Sequence, residues 1–261
     1  MEIIMSLSGK ALMVTGASRG IGLAIATGAI AQGARVAGVA RTISPELKAA
    51  GAHPVPVDLA TGEGPGEAVR QAVDMLGGLD VLINNVGAFD ARLDGFGAIT
   101  DAQWQHTFEV NFFSAVRAIR AALPSLLERQ GAIVNVSSIR GRFPQPPTVD
   151  YGTSKAALTN LGKALAEELG PRGVRVNSVS PGPTRTPAWE SETGIGATLA
   201  AANGTTVTEL LAGLPAKAGF NTGRLTEPDE VAALVLFLAS GQARNINGAD
   251  YIIDGGQSKT A

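Results

Sequence analysis

The chain contains no cysteine. That absence excludes disulfide scaffolds, thiol nucleophiles and cysteine-ligated zinc, and it fits a reducing compartment. Only two histidines are present, His53 and His106, far apart and without partners at metal-ligand spacing. No metal site and no metal-dependent hydrolase is expected, and both histidines read as structural or solvent-facing. Blocks of like charge are missing too, with a formal net charge of -2 and an isoelectric point near 5.8. A nucleic-acid surface or a polybasic membrane anchor would need clustered Lys and Arg. No stretch is long enough to cross a bilayer, and Met1–Ser8 lacks the basic start and long apolar centre of a secretory leader. A cytoplasmic protein is expected, starting at Met1 or Met5.

What is present is a chain of 261 residues, 45% of them apolar, enough for one large α/β domain with a substantial core. Short apolar runs alternate with helical periods from end to end. The predicted strands are Lys10–Thr15, Arg35–Ala40, His53–Val57, Leu79–Asn84, Ala132–Ser137, Val174–Val179 and Ala249–Ile253. Between them, helices are predicted over Ile21–Gln32, around Pro45–Ala50, around Glu67–Leu76, and over Asp101–Leu123, Asp150–Leu169 and Asp229–Ala239. Strands that are apolar throughout, rather than alternating, belong to a parallel sheet covered on both faces. Right-handed crossovers then give a doubly wound, seven-stranded Rossmann fold, one dinucleotide-binding domain over residues 1–261. One segment breaks the rhythm. Residues 183–226, rich in Gly, Thr, Ala and Pro with a helix near Val207–Ala212, are expected to form a lid or binding element.

The first turn, Thr15-Gly16-Ala17-Ser18-Arg19-Gly20-Ile21-Gly22, follows a strand and opens a helix. In that context glycines let the backbone approach a pyrophosphate, and a helix N-terminus offers unpaired N–H groups to it. An acidic residue ending the second strand would bind the ribose hydroxyls of NAD. Here that position is Ala40, followed by Arg41, and Arg19 lies in the glycine turn. Two guanidiniums suit a 2′-phosphate, so NADP(H) is expected in preference to NAD(H).

Tyr151 and Lys155 open a long predicted helix at i, i+4 spacing, on one face and one turn apart. A nearby ammonium favours phenolate and brings tyrosine toward useful acid–base range. Taken with the glycine turn, Asn84–Gly87 (NNVG), Asn111, Ser138 thirteen positions before Tyr151, Pro181-Gly182 and Asp254-Gly255-Gly256, the chain resembles the short-chain dehydrogenase/reductase family over nearly its whole length.

The resemblance implies roles for these residues. Tyr151 would pass a proton to or from the substrate oxygen while hydride moves to or from nicotinamide C4, and Ser138 would hydrogen-bond that oxygen. Lys155 would bind the nicotinamide ribose and lower the tyrosine pKa, and Asn111 would support a proton relay to Lys155. Gly16, Ser18, Arg19, Gly20, Ile21 and Gly22 would cradle the cofactor, with Arg41 at its 2′-phosphate. Asp58 and Leu59 would meet the adenine, and Asn85 and Gly87 would lie along the adenosine. Pro181, Gly182, Thr184 and Thr186 would hold the nicotinamide end.

The substrate pocket is expected from Ala88–Ala98, Ile139–Val149 and the excursion after Pro183. These offer Phe89, Phe96, Phe143, Pro144, Pro146, Pro147, Trp189 and Phe220, with Arg140 and Arg142 as polar contacts. A mostly apolar carbonyl compound suits such a wall. The alternative within the family is a 3-oxoacyl-acyl-carrier-protein reductase, with Arg129 and Arg172 beside the entrance to meet an acidic carrier. The alternative from another class is a non-catalytic NADP-binding regulatory protein, which Ser138, Asn111, Tyr151 and Lys155 argue against. The resemblance also implies a homotetramer, or a dimer, packed through the two long helices and the last strand.

Overall fold

A computed structural model describes residues 7–259; Met1 and Met5 lie outside them. Seven strands build one sheet: β1 (Ala11–Thr15), β2 (Arg35–Ala40), β3 (His53–Pro56), β4 (Val81–Asn84), β5 (Ala132–Val136), β6 (Arg175–Pro181) and β7 (Asp250–Ile253). Every pairing is parallel, in the order β3-β2-β1-β4-β5-β6-β7. Successive side chains of a strand point to opposite faces. In β1, accordingly, Leu12 and Val14 enter one apolar core while Ala11 and Met13 enter another. Two cores, one per face, are why the strands read as unbroken apolar runs.

Helices α1 (Gly20–Ala31) and α2 (Pro45–Ala49) are followed by α3 (Gly64–Leu76), α4 (Asp101–Phe108), α5 (Ser114–Glu128) and α6 (Val149–Leu169). Then come α7 (Pro187–Glu190), α8 (Ile195–Ala202), α9 (Val207–Ala218) and α10 (Pro228–Ala239). One face of the sheet is covered by α1 and α10, through residues such as Ile25, Ala29, Val231 and Val235. The other is covered by α3, α5 and α6, through Val69, Ala72, Ile119, Leu126 and Leu169. The chain runs from β1 outward to β3, then restarts at β4 on the other side of β1. That reversal opens a crevice at the carboxyl ends of the strands, where ligands of such sheets bind.

Two regions differ from the sequence expectation. The helix predicted over Asp101–Leu123 is α4 and α5 joined by a π-helical turn, Glu109–Phe113, and it runs past Pro124 to Glu128. Pro124 sits inside α5, where burial of Ala122 and Leu126 on either side outweighs its missing donor. The segment after Pro183 is largely helical rather than a loop, in α7, α8 and α9. A capping box of Thr206 and Glu209 starts α9, and Gly219, in the left-handed region at φ 72°, ends it. Two of the segment's glycines, Gly194 and Gly196, serve close packing. A Cβ on Gly196 would sit 1.9 Å from the Trp189 carbonyl oxygen, so α8 can lie against α7 only without one.

Candidate functional site

The carboxyl ends of β1, β2, β4, β5 and β6 open into one cleft of about 810 Å³. Of the residues singled out from sequence for catalysis and cofactor binding, all but Asn111 line it. At one end stands the glycine turn. Helix α1 begins without a side-chain cap and without an acidic residue in its first turn, so its first N–H groups and dipole face the cleft. Gly22 has no room for a side chain, since a Cβ would lie 2.1 Å from the Gly16 carbonyl oxygen and 2.5 Å from Asn85 Nδ2. Asn85 Nδ2 itself donates to the Thr15 carbonyl at 2.9 Å. The Thr15 hydroxyl accepts from the Asn85 and Val86 amides at 2.8 and 3.0 Å, fixing the β4 loop on the turn. Such a bare cradle beside a free helix N-terminus fits a dinucleotide pyrophosphate. Arg19 and Arg41 are exposed on its rim, and Asp58 is the one carboxylate among the lining residues.

At the other end, Ser138 follows β5, and Tyr151 and Lys155 rise from the first turns of α6. Lys155 is 3% exposed, and its ammonium donates to the Val136 carbonyl at 2.9 Å. Burial pushes it down to about 8. It lies 5.9 Å from the centroid of the Tyr151 ring. Burial raises the Tyr151 phenol above its ordinary value, and two groups oppose that: a hydrogen bond with the Ser138 hydroxyl and the charge of Arg140. The Lys155 ammonium, expected from sequence to lower the tyrosine pKa, is turned to a backbone carbonyl here, and the Arg140 guanidinium is a second cation near the phenol.

Asn111 lies behind the wall, in the π-helical turn. Its amide nitrogen donates to the Thr107 carbonyl at 3.0 Å, occupying an acceptor that an α-helix would pair with a backbone N–H. The same carboxamide closes a two-way bridge to Ala88, accepting its N–H at 3.0 Å and donating to its carbonyl at 2.9 Å. A Cβ on Gly87 would lie 3.1 Å from Asn111 Oδ1 and 3.4 Å from Lys155 Nζ. Asn111 and Lys155 thus meet across Gly87.

Of the aromatic and proline residues expected around the substrate, Phe89, Pro147 and Trp189 line the cleft. Phe89 stacks at 4.9 Å from the Tyr151 ring and 6.4 Å from Trp189, joining the β4 loop, α6 and α7. Phe96 is 70% exposed on the outer surface, and Phe220 is buried under the residues following β7. Phe143, Pro144 and Pro146 also lie off the cleft wall, and Arg142 pairs with Asp250 at 2.9 Å. Arg129, bonded to the Gly77 carbonyl and Asp80, and Arg172 flank the amino ends of the strands, the edge opposite the cleft within one chain. His106, read as structural or solvent-facing, is exposed but stands on the cleft wall, joined there by Val110, Gln145, Ile195 and Leu199. No periodic signal distinguished these from ordinary helix-surface and core positions. Among the described residues there is no cluster of three or more metal-ligating side chains, and no helix long and apolar enough to cross a membrane.

A family model described as enoyl-(acyl carrier protein) reductase matches residues 16–258. The chain is 34% identical to 2-(S)-hydroxypropyl-CoM dehydrogenase 3 of Xanthobacter autotrophicus, over 97% of this chain and 98% of that one. It is 35% identical to the 3-oxoacyl-acyl-carrier-protein reductase of Vibrio cholerae, again over 97% and 98% of the two chains. Among solved structures, L-sorbose reductase of Gluconobacter frateurii, complexed with NADPH and L-sorbose, superposes with a TM-score of 0.90 at 34% identity, covering 98% of this chain and 99% of that one.

Proposed function

Because this chain belongs to the short-chain dehydrogenase/reductase family, we propose that it uses NADP(H) to interconvert a ketone and a secondary alcohol on a small molecule with a largely apolar body. The observation that carries this reading is one cleft with an uncapped, glycine-walled helix N-terminus at one end and Ser138, Tyr151 and Lys155 at the other. When bound, the nicotinamide supplies or accepts the hydride. Tyr151 delivers a proton to the carbonyl oxygen from its hydroxyl, and Ser138 hydrogen-bonds the same oxygen and holds it in register. Lys155, cationic near neutral pH, holds the nicotinamide ribose, and Asn111 fixes the Ala88 backbone beside it. Gly16, Gly20 and Gly22 admit the pyrophosphate, Arg19 and Arg41 take the 2′-phosphate, and Pro181, Gly182, Thr184 and Thr186 border the carboxamide.

NADP(H) over NAD(H) is supported by Ala40 and Arg41 at the end of β2, where a carboxylate would repel the phosphate. A sorbose reductase with bound NADPH is among the structures this chain is similar to. The helices of residues 183–226 act as the lid, through Trp189, Ile195 and Leu199. In this reading the protein is cytoplasmic and a homotetramer. Similarity to the Vibrio cholerae enzyme favours a second reading, reduction of a 3-oxoacyl thioester. The test is NADPH oxidation across ketones, diketones and a 3-oxoacyl thioester, with Tyr151→Phe as control. Turnover abolished in the variant supports the assignment; NADPH binding without any turnover points to a regulatory protein.

A further inference from the structure

Arg140 is the second residue after Ser138, on the short 3-10 turn Ile139–Gly141 that caps the substrate end of the cleft. Its backbone is firmly seated. The Arg140 N–H donates to Ser138 Oγ at 3.1 Å. A Cβ on Gly152 would stand 2.9 Å from the Arg140 carbonyl oxygen, and one on Gly141 would stand 3.0 Å from the Ala156 amide. Two glycines thus press this turn onto the helix that carries Tyr151 and Lys155, so the guanidinium starts from a fixed point beside the reacting oxygen.

The side chain itself is half-buried and poorly partnered. Its one bond is from Nη1 to the Phe143 carbonyl at 3.3 Å, and among the described residues no carboxylate pairs with it. Other arginines withdrawn from solvent are provided for: Arg92 by Asp150, Arg117 by Glu109, Arg175 by the carbonyls of Leu238 and Ser240. Burial works against the Arg140 charge, and the only opposing influence is Tyr151. A desolvated cation without a counter-charge is unfavourable, and a guanidinium presents a planar fork matched to a carboxylate. The one carboxylate lining the cleft, Asp58, belongs to the adenosine end. The cofactor phosphates in the proposed function lie at α1, with Arg19 and Arg41. Nothing assigned so far neutralises Arg140.

We propose that Arg140 anchors a carboxylate on the substrate, so that the protein acts on an oxo acid and the corresponding hydroxy acid in preference to a neutral ketone. The proposal rests on the oxidoreductase reading and narrows it. Phe89, Trp189 and Leu199 take the apolar body, Ser138 and Tyr151 the carbonyl oxygen, and Arg140 the acid.

The experiment compares acetoacetate, levulinate and 5-oxohexanoate with their methyl esters and with a neutral ketose, in NADPH oxidation and in calorimetric titration of the NADP-saturated protein. Arg140→Leu and Arg140→Lys are measured beside the wild type. Wild-type selectivity for acid over ester should fall about 10- to 100-fold in Arg140→Leu, as expected for loss of charge-assisted hydrogen bonds, and recover in part in Arg140→Lys. Equal loss on acid and ester, with a shifted pH profile, would mean that Arg140 only tunes Tyr151, and would overturn the anchor. Equal binding of acid and ester, or a preference for the ketose retained in Arg140→Leu, would overturn it as well. Acid-selective binding that depends on Arg140, without turnover of any compound, would sink the oxidoreductase reading and leave the anchor standing.

Discussion

The Asp150 carboxylate accepts the backbone N–H of Tyr151 at 2.9 Å with one oxygen and holds the Arg92 guanidinium at 2.6 and 2.9 Å with the other. The Thr107 hydroxyl adds a third donor at 2.8 Å, and the Arg92 N–H reaches the Pro147 carbonyl at 2.8 Å. One buried group therefore ties the loop after β4, helix α4 and the start of α6 together beneath Tyr151. Burial alone would raise the Asp150 pKa, but the Arg92, Thr107 and Tyr151 donors outweigh it and hold the carboxyl below its ordinary value. Its stabilising contribution is present above the unfolded carboxylate pKa of about 3.9 and is lost as pH falls through the lower folded value. Asp150→Asn, which leaves the buried Arg92 only the exposed Asp90 carboxylate at 3.8 Å, should cost roughly 3 kcal/mol in urea unfolding at pH 7, and less at pH 3. An Arg92→Met, Asp150→Asn double variant should be less destabilised than the sum of the singles. Additive losses would show that the two side chains do not act as one unit.

The rim of the cofactor end gives a second expectation. Arg41→Ala and Arg19→Ala should each lower kcat/KM for NADPH by about 10- to 100-fold, the range for losing hydrogen bonds to a charged group. Values for NADH should change by much less, because that cofactor has no 2′-phosphate to lose. Steady-state kinetics with both cofactors checks this. Parallel losses would place these arginines outside the 2′-phosphate site.

Lys155 supplies a stability test independent of activity. Its pKa is lowered by burial to about 8, below the unfolded value of about 10.4, so the folded state binds fewer protons between those limits. The cost of burying the charge is fully present below pH 8 and fades as pH rises toward 10.4. Lys155→Met should abolish turnover yet unfold at higher urea than the wild type at pH 7, with the gap closing by pH 10. A constant gap across that range would mean that packing, not charge, separates the two proteins.

The fold was legible because its two cores make every strand apolar on both faces, and because the glycine turn and Tyr151–Lys155 pair are local in sequence. What was not legible depends on contacts between distant segments. Nothing around Asn111 marks a π-helical turn, which comes from a side chain competing for the Thr107 carbonyl. Gly194 and Gly196 resemble loop residues until the Trp189 and Ala188 carbonyls are seen against them. Gly152, beside Tyr151, carries no message in sequence, yet it makes room for the backbone of Arg140. His106 is one exposed residue among several on α4, and only the folding of that helix over the cleft puts it on the wall. Phe96 shows the opposite error, an aromatic residue in the right segment that faces outward.

The glycine cradle can be separated from ordinary backbone flexibility by two alanine substitutions. At Gly22 a methyl group would stand 2.1 Å from the Gly16 carbonyl oxygen, and neither that backbone nor Asn85 can withdraw without opening the turn. At Gly62 nothing lies within 4 Å, and its backbone is outside the left-handed region. Gly62→Ala should therefore be neutral or slightly stabilising, since it restricts only the unfolded chain. Gly22→Ala should destabilise by about 1–3 kcal/mol, the range for overpacking, and should weaken NADPH binding as the N–H groups of α1 move out of line. Equilibrium unfolding and titration of NADPH fluorescence measure the two effects separately. Normal NADPH affinity in a destabilised Gly22→Ala protein would mean that this turn braces the sheet without holding the pyrophosphate.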